Sequence, residues 1–188
     1  MRILKSFLRV LCVLCGGAVL SVLLSGCGYA LAGRGSALPT SIKIVGIPMF
    51  TNRTTVFNLE TTLTRKVREE FIGRGKYDII PETNGVDALL TGEVTTVVIQ
   101  PSSINANQLA SRYAITMVAR VELKDMKTNM VLWDNPSLVF RQEYDATGTT
   151  QPGGAVDPSA YFGQDTNALE RLSTDFAKSI VSAILEAF

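Results

Sequence analysis

Few side chains in this sequence could do chemistry, and the one in the most specific setting is Cys27. It follows Leu24-Ser25-Gly26 at the end of a stretch, Val10 to Ser25, that carries no charge. A thiol delivered to a membrane surface, beside side chains small enough for a peptidase to cut, is suited to acylation and cleavage. Cys12 and Cys15 form a C-x-x-C, a spacing that supports redox chemistry in a cytosolic βαβ setting. Here both lie inside the apolar run and leave with it if the chain is cut before Cys27. The 188 residues include no histidine, which removes the commonest metal ligand and the commonest general acid or base. Gly73-Arg74-Gly75-Lys76 imitates a phosphate-binding loop. However, the first glycine of G-x-x-x-x-G-K falls on Glu70, and Tyr77 stands where Ser or Thr is needed. Glu69 and Glu70 are neighbours on a helix, face different directions and make no acid/base pair. Asn52-Arg53-Thr54 fits a glycosylation sequon and, more simply, a cap and turn. No catalytic residue, metal site or cofactor is expected.

The frame around Cys27 explains it. Arg2, Lys5 and Arg9 form a basic head without acids, followed by the apolar run and small residues, which is the plan of an export signal. Leu24-Ser25-Gly26-Cys27 resembles the bacterial lipobox, whose cysteine is acylated and becomes the first residue after cleavage. An uncleaved anchor is the alternative, since about 20 apolar residues can span a bilayer. Gly16, Gly17, Gly26, Gly28 and Gly33 count against it. Cleavage before Cys27 leaves 162 residues, a single domain by size, with 15 basic and 17 acidic side chains, a net charge of −2. A nucleic-acid binder would show a basic excess, so no nucleic-acid partner is expected. The lipid occupies the remaining cysteine, and no disulfide is available.

The expected organisation is a signal over residues 1–26, a lipid-anchored tether over 27–41 and one domain over 42–188. Ile42–Ile47 is apolar on both faces and reads as a central strand. "FTNRTT" at Phe50–Thr55 is a polar loop. A helix follows from about Val56 to Ile72, with Leu59, Leu63, Val67 and Phe71 as its apolar stripe and Arg65–Glu69 and Lys66–Glu70 as i,i+4 pairs. Tyr77–Ile80 reads as a second strand, which makes a parallel βαβ unit. Asp87–Gln100 is a third strand, with Leu90, Val94 and Val98 on one face, and Pro101–Ala110 is an uncharged loop. From Arg112 to Lys124 apolar and polar residues alternate, so that Tyr113, Ile115, Met117, Ala119, Val121 and Leu123 face a core and Arg112, Thr116, Arg120, Glu122 and Lys124 face water. A turn at Lys127–Asn129 leads to strands Met130–Trp133 and Leu138–Tyr144. Residues 145–160 form a long loop. A closing helix, about Asn167 to Phe188, carries the stripe Leu169, Leu172, Phe176, Ile180, Ile184 and Phe188, and Asn167 with Glu170 resembles a capping box. Two amphipathic helices need one cover. The expected fold is therefore α+β, a two-layer sandwich with both helices on one face of a mixed, mostly antiparallel sheet.

With this order in view, the chain resembles the LptE family of lipopolysaccharide-assembly lipoproteins. The resemblance is carried by "GCGYALAG" at Gly26–Gly33, "LPTSIKIVGIPMFTNRT" at Leu38–Thr54, "LETTLTRKVREEF", "VDALLTGEV" at Val86–Val94, "YAITMVARVEL" and the closing helix. It implies an outer-membrane lipoprotein, anchored through Cys27 and facing the periplasm. Such a protein plugs the lumen of the LptD β-barrel, helps it assemble, and takes part in moving lipopolysaccharide to the outer leaflet without catalysis. Gly28 after the cysteine, rather than aspartate, fits outer-membrane sorting. Arg112, Arg120 and Lys124 become candidate contacts to lipopolysaccharide or to the barrel wall. Basic positions that relatives use before this strand are absent from Pro101–Ala110. A periplasm-facing adaptor of another envelope transport complex is the alternative, and an envelope hydrolase using Ser and Asp a third reading.

Overall fold

The alternation from Arg112 to Lys124 becomes the middle of a long strand at the centre of a meander. The computed structural model describes residues 38–74, 76–106, 109–145, 157–164 and 166–188; the signal, Cys27 and the first ten residues after it lie outside these. In chain order the elements are β1 (Ile44–Gly46), β2 (Thr51–Asn52), α1 (Leu59–Gly73), β3 (Asp78–Ile80), β4 (Ala88–Ile104), β5 (Ala110–Asp125), β6 (Val131–Asp145), α2 (Pro158–Gln164) and α3 (Thr166–Glu186). The sheet order is β3-β1-β4-β5-β6, with β2 also pairing β4. β1 runs parallel to β3 and to β4, which makes β1-α1-β3 a βαβ unit, while β4, β5 and β6 pair antiparallel. The fold is thus α+β, a mixed sheet with helices packed on it.

Every inward residue expected on β5, from Tyr113 to Leu123, is buried. On β4 the period-two reading fails halfway. Leu90 and Val94 are buried, but a bulge between Val94 and Thr96 adds a residue and turns the strand over. Beyond it Val97 (9% exposed) and Ile99 (1%) face the core, and Val98 (38%) faces out. A bulge does this because two residues on one strand then oppose one on its partner. β4 also continues through Pro101–Ile104, which was expected as loop. Asn105 and Leu109 then bridge the two strands, Asn105 N–H donating to the Leu109 carbonyl at 2.8 Å and Leu109 N–H to Asn105 Oδ1 at 3.0 Å. Similarly, the two strands expected on either side of Asn135-Pro136 are one strand, β6. Its register shifts there, and Ser137 N–H donates to Asn135 Oδ1 at 3.1 Å. β6 is an edge strand, where a proline has no ladder bond to forfeit.

Both long helices lie on the core side. Leu59, Leu63, Val67 and Phe71 of α1 are all fully buried, each burial contributing about 1.5–3 kcal/mol before chain entropy is charged against it. α1 begins at Leu59 rather than Val56, because Asn52 and Thr54 hold the preceding residues in turns. Thr54 N–H donates to Asn52 Oδ1 at 2.9 Å, and Asn52 Nδ2 donates to the Val56 carbonyl at 2.8 Å. Such local bonds compete with a helix. The helix is stitched to the β1–β2 segment by Thr64 Oγ1, which accepts the Phe50 N–H at 2.9 Å, and by Arg68, which donates to the Ile47 carbonyl. Gly92 leaves room for the buried Phe50 ring, since a Cβ there would lie 2.5 Å from it.

α3 places Leu169, Leu172, Phe176, Ile180 and Ile184 in the core, whereas Phe188 is 43% exposed. Phe176 meets Phe140 of β6 edge to face at 5.8 Å. The capping box does not form. The helix is already running at Thr166, and the Glu170 carboxylate instead takes Arg65 and, at 3.0 Å, Lys66 from α1. The Arg65–Glu69 pair forms at 2.8 Å, but Lys66–Glu70 does not, because Glu70 pairs with Arg74 at 2.9 Å. The end of the expected loop is α2, and residues 146–156 lie outside the described residues. Asp157 caps α2 by accepting the N–H groups of Ser159 and Ala160 at 2.9 and 3.1 Å.

The bulge supplies a direct test. Val97→Asp buries an unpaired charge and should lower stability by about 3 kcal/mol or more, while Val98→Asp should stay within about 0.5 kcal/mol of the parent. Urea unfolding midpoints of the two variants measure the difference; equal losses would mean that β4 has no bulge.

Candidate functional site

The sheet has two faces and the described helices cover one. The open face is built from the outward residues of β4, β5 and β6, where the sequence placed its candidate contacts. Cys27, the lipidation site read from the sequence, lies outside the described residues.

Arg112 stands near one end of β5, and its Nε meets Asp145 Oδ1 of β6 at 3.0 Å. Arg120 stands eight residues on, roughly 27 Å away at strand spacing. It lies directly opposite Glu93 of β4, whose carboxylate is held by Arg53 at 2.7 Å. Arg120, Glu93, Glu122, Thr51, Thr91 and Gly92 line a shallow depression of about 260 Å³. Lys124 lies near the other end, with Leu89 of β4 and Val131 of β6 as its cross-strand neighbours. Among the described residues Arg120 and Lys124 make no ion pair. Between Arg112 and Arg120 the face carries Thr96, Val98, Thr116, Val118 and Val139, with the exposed Arg141 of β6 directly opposite Thr116.

The three cations are therefore spread along one strand, not gathered into a site. Arg112 and Arg120 each sit beside a carboxylate, which offsets the pull they could exert on a phosphate. The face carries both signs of charge along its length, with Val98, Val118 and Val139 among them. Such a surface suits contact with another wet protein surface better than capture of a strong anion.

Two further groupings were not legible as sites in the sequence. The first is the end of the sheet where the chain arrives from Cys27, here termed the near end. Leu38 is buried there, and its N–H donates to the Tyr77 hydroxyl at 2.8 Å. Asp87 binds this end together. Its Oδ2 accepts the N–H groups of Lys43 and Ile44 at 2.9 and 3.0 Å, and its Oδ1 meets Lys127 Nζ at 2.5 Å. The backbone N–H of Asp87 donates to the Ile44 carbonyl at 2.9 Å, and its carbonyl accepts the Met126 N–H at 2.8 Å. Lys127 and the two backbone donors hold the Asp87 carboxyl well below the usual carboxylate range. Asp125 likewise accepts the N–H groups of Lys127 and Thr128 at 2.7 and 3.0 Å, and Asn129 adopts the left-handed conformation that closes the expected turn.

The second grouping is a set of aromatic rings toward the far end. Tyr113 meets Tyr161 at 5.5 Å, and Tyr161 meets Phe162 at 5.4 Å. Tyr144 donates its hydroxyl to Asp175 Oδ2 at 3.1 Å and lies under Arg171. Burial, then the Asp175 charge, pushes the Tyr144 hydroxyl above the usual tyrosine range. A phenol held protonated in this way is a poor acid, so these rings serve packing. The signal missed was Asp157-Pro158, a cap followed by proline at the first helical position, which brings Tyr161 and Phe162 into the core. No helix among the described residues is long and apolar enough to cross a membrane.

A model of the LptE lipopolysaccharide-assembly family matches residues 42–184. No curated protein matches the sequence. Among solved structures, rare lipoprotein B from Shewanella oneidensis is similar at 13% identity and a TM-score of 0.46, covering 76% of this chain and 93% of that one. Lipoprotein B from Nitrosomonas europaea is similar at 14% identity and a TM-score of 0.44, covering 85% and 89%. The PelC dodecamer from Paraburkholderia phytofirmans gives 14% identity, a TM-score of 0.45, and coverage of 80% and 92%.

Asp87 has a depressed pKa in the folded chain, so the stability it contributes is present above the unfolded value, about 4, and is lost as the pH falls toward the folded one. Asp87→Asn should therefore lower the melting temperature at pH 7 and flatten the acid limb of the stability curve. Thermal melts of both proteins from pH 7 to pH 2 should converge at the acid end. Parallel curves would remove Asp87 as the source.

Proposed function

The chain belongs to the LptE lipopolysaccharide-assembly family, and from that premise we propose that it is an outer-membrane lipoprotein which plugs the lumen of an LptD-like β-barrel and helps that barrel assemble. The observation that supports this reading most is the one-sided cover of the sheet. A plug needs a rigid body with polar surface to set against the wet interior of a barrel. Here the open face of β4, β5 and β6 offers both signs of charge along its length.

In this reading Cys27 carries the lipid that holds the domain to the membrane. Each buried methylene contributes about 0.8 kcal/mol, so several acyl chains make release negligible. The protein acts by shape and contact, and the pair it forms moves lipopolysaccharide to the outer leaflet. Arg120 and Lys124 are the contacts that the geometry favours, since neither is engaged in an ion pair among the described residues. Arg112, tied to Asp145, contributes less. The carboxylates beside Arg120 favour the barrel wall over lipopolysaccharide phosphates as its partner; lipid contact falls chiefly to Lys124.

Extraction of a C-terminally tagged protein from the outer membrane in mild detergent should recover one large β-barrel in stoichiometric amount. Arg120→Glu with Lys124→Glu should reduce that recovery roughly tenfold, since like charges set against each other across an interface cost more than a single neutral loss. Recovery of a cytoplasmic-membrane transporter in place of a barrel would favour the adaptor reading. Full recovery with the doubly reversed variant would remove these two residues from the interface.

A further inference from the structure

The long strands of the sheet end in two open edges, and the two are not alike. On one side β1 and β2 pair with β4 only as far as Val94, so the far half of β4 has no strand beyond it among the described residues. On the other side β6 is the last strand in the sheet order. In an antiparallel pair every second residue turns its N–H and C=O away from the partner. A row of such groups is a template for another strand, and folds guard it with prolines and bulges. β4 has both. Its register breaks between Val94 and Thr96, between Pro101 and Ser103, and again before Ile104, and Pro101 has no N–H to offer.

β6 has neither guard over residues 138–145. Pro136 and the register shift beside it come before this run, and from Leu138 to Asp145 eight successive residues pair with β5 without a break. The run contains no proline or glycine. It is about 27 Å long at strand spacing, more than the common strand of about five or six residues. Its side chains form two rows. Toward the core, Leu138 and Phe140 are only partly buried, so an apolar side chain laid beside them completes their cover. On the open face Val139 is 61% exposed, and Arg141 and Glu143 are exposed beyond it. Both signs of charge in one row select a strand of complementary charge rather than repel every strand.

What reaches this edge follows from where the domain sits. The inference rests on the plug reading, in which a domain enclosed in a lumen meets the chain that encloses it. Strands of a closed barrel wall are already paired on both sides, so a segment that docks here must leave the wall. We propose that residues 138–145 of β6 are a strand-docking site, on which an extended segment of the barrel protein, lying inside its lumen, adds as a further strand of the sheet. That segment is amphipathic. One row lays an apolar side chain beside Phe140; the other sets an apolar residue opposite Val139, an acid opposite Arg141 and a base opposite Glu143. Main-chain hydrogen bonds supply the affinity of such strand addition, and the alternate side chains supply its specificity.

The test uses the full lipoprotein in intact outer membranes, with a photoreactive amino acid in place of Val139, Arg141 or Glu143, one at a time. All three positions are exposed, recovery of the barrel reports that each protein is folded and seated, and any two positions define the register. Irradiation should attach them to one contiguous segment of the barrel protein outside its wall strands. The attachment point should move by two residues for each step of two along β6, as strand pairing requires. Adducts scattered over wall strands, adducts to a second copy of this chain, or no adducts from a protein that recovers the barrel in full would each overturn the docking site alone. Failure of the unsubstituted protein to recover a barrel would overturn the docking site and the plug reading together.

Discussion

One carboxylate holds together parts of the fold that sequence separation would otherwise leave loose. Asp87 accepts two backbone N–H groups at the start of β1, takes Lys127 from the β5–β6 turn, and pairs through its own backbone with Ile44 and Met126. β1 is only three residues long and its two partners run parallel to it, so it cannot rest on a local hairpin. Charge-assisted bonds to two successive backbone donors are the strong kind. They set the height of β1 against β4, and β1 in turn positions Ile47 and Phe50, the two residues to which α1 is stitched. The register of the parallel half and the seating of the first helix both follow from that side chain.

The second constraint is the supply of helices. α1 and α3 cover one face of the sheet and join through Glu170, which Arg65 and Lys66 share. These ion pairs are partly exposed and contribute little stability each, but they fix the lateral spacing of two helices whose apolar stripes drive the packing. The opposite face is left to water or to a partner. A sheet covered on one side only must alternate, and β5 does so from Tyr113 to Leu123, with Ala114 the one outward position that is also buried. Fold and proposed function thus meet in the same strand, with a core on one side and the proposed interface on the other.

How much of this was legible depends on whether the determining interaction is local. The stripe on α1, the alternation of β5 and the turn at Lys127–Asn129 are periodic or local, and each stands in the structure as read. The far half of β4 was misassigned because a bulge is set by the partner strand; nothing between Val94 and Val98 announces the extra residue. The start of α1 was placed too early because Asn52 and Thr54 satisfy backbone groups by side-chain bonds that a hydrophobic stripe does not reveal. Glu170 was read as a cap because capping partners are close in sequence, whereas its true partners, Arg65 and Lys66, are about a hundred residues away. The candidate cations were correctly assigned to one face, but their carboxylate neighbours come from other strands and were out of sight.

The order of the elements has a consequence for when the core can close. α3 follows every strand of the sheet in the chain, yet Phe176 and its neighbours close the core over β5 and β6. Until α3 docks, Phe140 lacks the ring it packs on, and the inward face of the meander stands open to water. Closure of the core thus waits on the helix that lies farthest along the chain from the β1-α1-β3 unit.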